Sequence, residues 1–137
     1  MAGILIIAHS PLASSLKAVA AHVYPDHRNP IEALDVEPSA SVEQVEAHAR
    51  LLLERVCNPE ALILADVVGA TPCNVAARLA ERSQVQVVAG VNVPMLWRVL
   101  CYANEPIEML AERAVTGATQ GVMQVAGLLD RVSCLKP

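Results

Sequence analysis

The distribution of apolar residues along the chain predicts strands alternating with helices. Two short segments, residues 3–8 and 61–65, are apolar at every position, which is typical of strands buried on both faces of a parallel sheet. Residues 31–36 alternate between apolar and polar side chains well enough to form a strand nearer the sheet edge, and residues 85–90 form the next predicted strand. The first and third strands should therefore lie in the centre of the sheet.

Helical spacing and capping signals occupy the intervals between these strands. A first helix is predicted from Pro11 until Pro25 stops it, and a second follows Ser41, which forms a capping box with Gln44. Beyond Gly117 the pattern fits neither period well, and residues 121–129 suit a short strand or a weak helix equally. A third helix is predicted to begin at Pro72 and to end at about Ser83. Two further helices are predicted to begin at Pro94 and at Pro106.

This order of elements predicts the fold class. A chain that alternates strand and helix in this way forms a doubly wound, mainly parallel open α/β sheet with helices on both faces. A flavodoxin-like strand order would make the first and third strands neighbours. Because the chain shows no linker, internal repeat or low-complexity segment, we expect residues 1–137 to form a single domain.

Composition and charge narrow the classes of function. With 54% hydrophobic residues and no Phe, the chain is expected to fold around an aliphatic core. A net charge of -4 without a run of Lys or Arg argues against nucleic acid and anionic lipid as partners. No apolar run reaches the roughly 18 residues of a membrane span. The apolar N-terminus also lacks the basic region of a signal peptide, so we expect a cytoplasmic protein without direct membrane insertion.

The cysteines and the known nucleotide motifs indicate no metal and no cofactor. The cysteines are widely spaced, without a C-x-x-C motif or a histidine at metal-ligand spacing, so neither disulfides nor a zinc site is indicated. Most of them are expected to be reduced and buried. No G-x-G-x-x-G or Walker A sequence is present, and the loop after the first strand has too few hydroxyls for a flavin phosphate. The cysteines are Cys57, Cys73, Cys101 and Cys134.

Two polar residues directly follow the predicted central strands. His9 follows the first strand and Asp66 follows the third. Because the carboxyl ends of neighbouring parallel strands meet at one edge, we expect these side chains to be close enough to pair. A carboxylate that accepts from one ring nitrogen leaves the other nitrogen free as a nucleophile, which suits a phosphoryl acceptor. Surface roles are expected for the other histidines: His22, His27 and His48.

The residues after each strand also predict helix N-termini beside this pair. Ser10 and Thr71 are predicted N-caps, followed by Pro11 and Pro72 at the first helical positions. Unpaired backbone N–H groups at a helix start attract anions. The two hydroxyls and the two helix N-termini would therefore stabilise a phosphate without metal or cofactor. The structural alternative is an ordinary strand-end histidine beside a capping carboxylate.

Three ordered segments carry a resemblance to a known family. Residues 3–11 place His9 after an apolar strand, residues 66–74 have the sequence DVVGATPCN, and residues 88–96 have the sequence VAGVNVPML. They resemble the phosphohistidine strand, the D-x-x-G-G-[ST]-P-x-N segment and the third signature of the mannose-class enzyme IIA domain. This domain belongs to the bacterial phosphoenolpyruvate-dependent sugar phosphotransferase system. The sequence departs from the common pattern at Ala70, where a second glycine is usual, and at the two valines before Gly69.

The resemblance implies a role for each matching residue. His9 would carry the phosphoryl group, Asp66 would orient the histidine, and Thr71 would contact the phosphate. It also implies a homodimer that receives the phosphoryl group from the carrier protein HPr. Since no enzyme IIB domain follows in the sequence, we expect the group to pass to a separate IIB protein or to serve as a regulatory signal. The alternatives are a relay to a dihydroxyacetone kinase, a non-enzymatic interaction module switched by phosphorylation, and an unmodified small-ligand binding domain.

Overall fold

The computed structural model describes residues 1–82 and 84–126. Strands and helices alternate along the chain until two consecutive helices close the described part. The elements are β1 (Gly3–His9), α1 (Leu12–Val23), β2 (Ile31–Val36), α2 (Val42–Val56), β3 (Ala61–Ala65), α3 (Thr71–Leu79), β4 (Val85–Ala89), α4 (Val93–Cys101) and α5 (Ile107–Gln120).

Within the described residues, the strands form one parallel sheet in the order β2-β1-β3-β4. The predicted doubly wound α/β class and the flavodoxin-like neighbouring of the first and third strands are confirmed. Ile7 of β1 lies beside Ala65 of β3 in the register. Because the two strands are parallel, His9 and Asp66 emerge at the same edge of the sheet.

Two apolar layers cover the faces of the sheet, and alternating side chains of β1 belong to different layers. Ile4, Ile6 and Ala8 pack in the layer that contains α1, α4 and α5. Leu5 and Ile7 pack in the layer that contains α2 and α3. All of these side chains are fully buried, and the core is aliphatic as predicted. Burial on both faces explains why β1 is apolar until His9.

The start of α1 differs from the prediction. Ser10 is not the N-cap, and Pro11 takes that position without a side-chain hydrogen bond to the helix. The backbone N–H of Ser10 instead donates to the carbonyl of Val36 at 3.1 Å. Ser10 therefore continues the pairing of β1 with β2, which delays the helix until Leu12.

The start of α3 also differs from the prediction. The helix begins at Thr71, so the N-cap is Ala70, whose side chain cannot accept a hydrogen bond from the helix. Gly69 precedes it with φ of 94°, a conformation that glycine adopts without steric cost. The chain thereby turns early enough for Thr71 to be helical. The helix ends at Leu79 and not at about Ser83.

The other helix boundaries agree more closely with the sequence. The Ser41 hydroxyl accepts from the Gln44 N–H at 3.2 Å, and the Gln44 side chain accepts from the Ser41 N–H at 3.1 Å, which confirms the capping box. Helix α4 begins one residue before Pro94, and Pro106 is the N-cap of α5. Helix α5 continues to Gln120, whereas residues 121–126 are neither helix nor strand. Residues 127–129 of the ambiguous segment lie outside the described residues.

The predicted burial of the cysteines is wrong for those that are described. Cys57 and Cys73 are half-buried and Cys101 is exposed, and all of them are free thiols. Each lies at an end of a helix: Cys57 is the C-cap of α2, Cys73 lies in the first turn of α3 and Cys101 ends α4. Cys134 lies outside the described residues.

We expect Ser41→Ala to lower the free energy of unfolding by about 1 kcal/mol. The Gln44 N–H would lose its acceptor at the start of α2. The second bond of the capping box, from the Ser41 N–H to the Gln44 side chain, would then remain without its reciprocal partner. Urea unfolding monitored by circular dichroism measures this change. The control is Ser39→Ala, because Ser39 is exposed and lies outside the helices and strands. It should change stability by less than about 0.5 kcal/mol, and equal effects of both variants would contradict the capping role.

Candidate functional site

The candidate site lies where β1 and β3 end side by side. His9 is the last residue of β1, and Asp66 follows the last residue of β3. The His9 side chain is 54% exposed, whereas the Asp66 side chain is only 12% exposed. A ring that is accessible from solvent therefore rests on a carboxylate that is largely shielded from it.

A single oxygen of Asp66 holds His9 at two points. Asp66 Oδ2 accepts from the backbone N–H of His9 at 2.9 Å and contacts Nδ1 of its ring at 2.6 Å. The other oxygen, Oδ1, accepts from the N–H of Val67 at 2.8 Å. Because an ionised carboxylate only accepts hydrogen bonds, Nδ1 must carry the proton of this contact. In the neutral ring, Nε2 then keeps a lone pair and is the nucleophilic nitrogen.

The same contacts determine the ionisation of Asp66. Burial alone would raise the pKa of Asp66, but hydrogen bonds from the His9 backbone, the His9 ring and the Val67 backbone lower the pKa below its ordinary value. The carboxylate is therefore ionised at neutral pH. Its negative charge stabilises positive charge that develops on the His9 ring.

The loop between β4 and α4 supports Asp66 from the other side. The N–H of Gly90 donates to the Asp66 carbonyl at 3.0 Å, and the N–H of Val91 donates to the Ala65 carbonyl at 3.0 Å. Gly90 has φ of 88°, a region in which glycine is favoured. Gly90 belongs to the third segment of the family resemblance, but its contact with Asp66 is visible only in the structure.

Ser10 directly follows His9 in a turn, and Thr71 begins the helix that follows Asp66 in the chain. Both are half-buried, and neither side chain bonds to His9 or Asp66 within the described part of the chain. Thr71 is the first residue of α3, and the N-cap Ala70 offers no side-chain acceptor. The first backbone N–H groups of α3 are therefore not capped by a side chain and suit an anion. The structure thus joins His9 to Asp66 directly and places Thr71 at the N-terminus of α3, which has no side-chain cap.

Sequence reasoning missed a second carboxylate at this edge of the sheet. Asp35 lies opposite Ala8 in the register of β1 with β2. Its Oδ1 accepts from the N–H of Ser14 at 3.0 Å, and its Oδ2 accepts from the Ser14 hydroxyl at 2.5 Å. An acidic residue close to the end of a predicted strand was the available signal, and the same signal had identified Asp66.

The remaining histidines belong to other parts of the surface. His22 on α1 and His48 on α2 are exposed, as expected. His27 is half-buried, and its Nδ1 has no hydrogen-bond partner among the described residues, so the expected surface position is only partly correct. In residues 1–82 and 84–126, no group of three or more His, Cys, Asp or Glu side chains is arranged to hold a metal ion.

The sequence matches a family model over most of its length. The model is described as PTS system fructose IIA component, and it matches residues 3–115. These residues include all of the site just described and every strand of the sheet. No curated protein matches the sequence.

Solved structures with the same fold come from phosphotransferase systems of several bacteria. An EIIA component from Streptococcus agalactiae is 21% identical, covers 93% of this chain and 99% of its own, and superposes with a TM-score of 0.81. The mannose/sorbose specific IIA subunit from Enterococcus faecalis is 22% identical, with coverage of 90% and 93% and a TM-score of 0.81. A PTS IIA protein associated with the fucose utilization operon of Streptococcus pneumoniae is 26% identical, with coverage of 94% and 99% and a TM-score of 0.77.

We expect the stability advantage of the wild type over Asp66→Asn to shrink in acid. The pKa of Asp66 in the folded protein lies below its ordinary value of 3.8. Its contribution to stability is therefore complete above the ordinary value and is lost as the pH falls through the folded pKa. The measurement is the free energy of unfolding in urea for both proteins, at neutral pH and at acidic steps.

Asp26→Asn is the control for this comparison, because Asp26 is an exposed carboxylate in the loop after α1. Its difference from the wild type should stay small at every pH. A difference between the wild type and Asp66→Asn that is the same at neutral and acidic pH would contradict the interaction of Asp66 with His9.

Proposed function

The chain belongs to the family of PTS system fructose IIA components, and from this premise we propose that it is a phosphohistidine carrier whose phosphorylated residue is His9. In this proposal His9 receives the phosphoryl group from HPr and passes it to a separate IIB protein. The observation that supports it most strongly is the 2.6 Å contact of His9 Nδ1 with Asp66 on a side chain that is 54% exposed. This contact leaves Nε2 free to react.

The transfer itself needs only two histidines and one phosphoryl group. The lone pair of His9 Nε2 attacks the phosphorus of the phosphohistidine in HPr, so a new P–N bond forms. The P–N bond in HPr breaks, and its electron pair returns to the nitrogen of the donor ring. Transfer to IIB repeats the same exchange with His9 as the donor. No proton is released, because Nδ1 of His9 keeps its hydrogen bond to Asp66 throughout.

Asp66 and α3 would stabilise the charges of this reaction. A ring with a proton on Nδ1 and a phosphoryl group on Nε2 gains positive charge, which the nearby Asp66 carboxylate offsets. The phosphoryl oxygens carry negative charge that the uncapped N-terminus of α3 and the Thr71 hydroxyl would accept. Ser10 follows His9 directly and would contribute a further hydroxyl.

Two exposed apolar side chains beside the site favour proteins as partners. Val67 and Val68 follow Asp66 and are 51% and 76% exposed. Apolar side chains at these positions provide a contact surface beside a histidine that another protein can approach. These are also positions at which the sequence departs from the usual motif, so we propose that they contribute to the choice of partner.

The setting of the protein is part of the proposal. We propose that residues 1–137 act as one domain and work in the cytoplasm, where the expected donor and acceptor would be available. No described helix is both long and apolar enough to span a membrane. In this proposal the phosphoryl group reaches the membrane component through the IIB protein.

We also propose a homodimer that forms through the β4 side of the sheet. The edge strand β2 is flanked by ion pairs of Glu32 with Lys17 at 3.3 Å and with Arg55 at 3.6 Å. By contrast, a groove of about 560 Å³ runs between the edge strand β4 and helix α5. Val87 and Val115 line it, and Val115 is 50% exposed. An open strand edge beside apolar side chains is suited to pairing with a second copy.

We expect phosphoenolpyruvate, enzyme I and HPr to place one phosphate on the wild-type protein and none on His9→Ala. Intact mass spectrometry counts the phosphate, and its loss in acid identifies a phosphohistidine. Asp66→Asn should slow the reaction by at least about tenfold, because the amide cannot offset positive charge on the ring. Transfer to a purified IIB protein, with a dihydroxyacetone kinase subunit as the alternative acceptor, then tests the second step.

His48→Ala is the matched control, since His48 is exposed on α2 and away from the strand ends. It should be phosphorylated like the wild type. Absence of phosphate on the wild type, with HPr shown to be active on another IIA protein, would overturn the carrier proposal and favour a ligand-binding or interaction domain.

For the proposed dimer, we expect Val115→Glu to shift the protein from dimer to monomer in sedimentation velocity experiments. The added charge would lie in the groove between β4 and α5, which Glu108 and Glu112 also line, and its desolvation in an interface is unfavourable. Leu51→Glu is the control, because Leu51 is 60% exposed on α2, and it should leave the dimer intact. A wild-type monomer at all concentrations would contradict the proposal.

A further inference from the structure

The half-buried side chain of Asn92 caps two helices at once. Asn92 is the N-cap of α4, and its Oδ1 accepts from the N–H of Met95 at 2.8 Å, as N-cap side chains do. Its Nδ2 donates to the carbonyl of Ala118 at 3.3 Å, in the last turn of α5. The two ends of one amide thus join the start of α4 to the end of α5.

The Ala118 carbonyl is one that α5 itself leaves open. The last four carbonyls of a helix lack a helical N–H partner. The N–H of Val122, four residues after Ala118, donates to the Thr119 carbonyl at 3.4 Å, and the N–H of Gly121 donates to the Gly117 carbonyl at 3.1 Å. Within the described part of the chain, the Asn92 side chain therefore supplies a donor that the helix does not.

The end of α5 packs closely against the first turns of α4. A Cβ atom at Gly121 would lie 2.4 Å from Cβ of Pro94, and one at Gly117 would lie 2.6 Å from Cβ of Arg98. Because Cβ atoms do not approach other carbon atoms so closely, only glycine fits at these two positions without a shift. Asn92 is therefore bonded to two helix ends that are themselves held together.

The two residues before Asn92 hold the backbone at the end of β3. The N–H of Gly90 donates to the Asp66 carbonyl, and the N–H of Val91 donates to the Ala65 carbonyl, both at 3.0 Å. Residues 90–92 are thus bonded to the sheet at one end and, through the Asn92 side chain, to α4 and α5 at the other. The position of Gly90 against Asp66 is set from both sides.

One peptide unit carries this constraint to the Asp66 side chain. The Asp66 carbonyl, which Gly90 holds, and the N–H of Val67 belong to the same planar peptide. That N–H donates to Asp66 Oδ1 at 2.8 Å, while Oδ2 contacts Nδ1 of His9 at 2.6 Å. A rotation of the peptide plane would therefore draw the carboxylate away from the His9 ring.

We propose that Asn92 is a positioning residue for Asp66. By fixing residues 90–92 to both α4 and α5, its side chain keeps the Gly90 N–H on the Asp66 carbonyl and so keeps the carboxylate on His9 Nδ1. The proton on Nδ1, which leaves Nε2 as the nucleophile, then depends on a residue whose side chain bonds to neither His9 nor Asp66 within the described residues. The inference rests on the proposed phosphorylation of His9, but the proton on its ring can be located without phosphoryl transfer.

The first experiment locates this proton from the ring ¹⁵N chemical shifts of unphosphorylated His9, at an alkaline pH at which the ring is neutral. In the wild type we expect a protonated Nδ1 and an unprotonated Nε2. Asn92→Ala removes both contacts of the amide. Its two ring nitrogens should shift toward the averaged values of an imidazole that exchanges its proton between them, and Asp66→Ala gives the limit of complete loss.

Asn92→Ser separates the two contacts of the amide. Serine is a neutral residue and a good N-cap, so its hydroxyl can accept from the Met95 N–H. Its shorter side chain leaves the Ala118 carbonyl without the donor. Because the proposal requires the bond to α5, we expect the ring nitrogens of this variant to shift in the same direction as in Asn92→Ala.

Glu105→Ala is the matched control, because it loosens the same pair of helices at their other end. Glu105 lies between α4 and α5, and its carboxylate accepts from Nε of Arg113 at 2.9 Å. Loss of this bond should lower stability but leave the His9 ring nitrogens at their wild-type shifts. The same change of shifts as in Asn92→Ala would overturn the proposal, since general loosening of α4 and α5 would then account for it.

Two further results would overturn the proposal. The first is a folded Asn92→Ala variant with wild-type ring shifts. The second is an Asn92→Ser variant with wild-type ring shifts, because the bond to α5 would then have no part in holding Asp66. Asn92→Ser remains decisive if Asn92→Ala does not fold, as judged from its amide spectrum.

The second experiment measures the rate of phosphoryl transfer from HPr at equal concentrations of folded protein. We expect a decrease of about three- to tenfold in Asn92→Ala and Asn92→Ser, because misplacing a reacting group by an ångström costs up to about 100-fold and Asp66 itself is retained. Glu105→Ala should react like the wild type. Lower stability of both Asn92 variants with unchanged rates and ring shifts would leave Asn92 with only a structural role. If the wild type takes up no phosphate, the carrier proposal fails, whereas the ring shifts still test Asn92.

Discussion

The hydrogen bonds from His9 to Asp66 join the ends of two neighbouring strands, and the arrangement of the site depends on them. One carboxylate oxygen accepts both N–H groups of His9, which fixes the backbone and the ring together. This is possible only because β1 and β3 are adjacent and parallel. The contact between His9 and Asp66 thus requires this strand order. A central place in the sheet in turn requires strands that are apolar on both faces, as β1 is up to His9 and β3 is throughout.

A second feature of this edge is that α1 and α3, the helices that follow β1 and β3, are capped differently. Parallel strands bring several helix starts to the same edge, and each of them attracts negative charge. In this protein Asp35 accepts from the N–H and the hydroxyl of Ser14 in the first turn of α1, whereas α3 starts without a side-chain cap.

The sequence predicted the elements of this fold well and their caps less well. Strands of five or six apolar residues are recognisable locally because burial on both faces excludes polar side chains, and the Ser41 capping box is a local motif. Ser10 and Thr71 were wrong as N-caps. In the first case the pairing of β1 with β2 extends through Ser10. In the second case the turn at Gly69 starts the helix at Thr71 itself.

The sequence by itself therefore determined the order and type of the elements and placed His9 and Asp66 at the ends of two buried strands, whose adjacency the structure shows. The spacing of apolar residues and the length of each apolar segment carry that information, because they reflect which faces of a helix or strand are buried. Only the tertiary structure decided that one Asp66 oxygen holds two groups of His9, that Gly90 supports Asp66 and that Asp35 caps α1. The physical reason is that these hydrogen bonds join residues far apart in the chain, so their donors and acceptors are matched by strand order and register and not by local sequence.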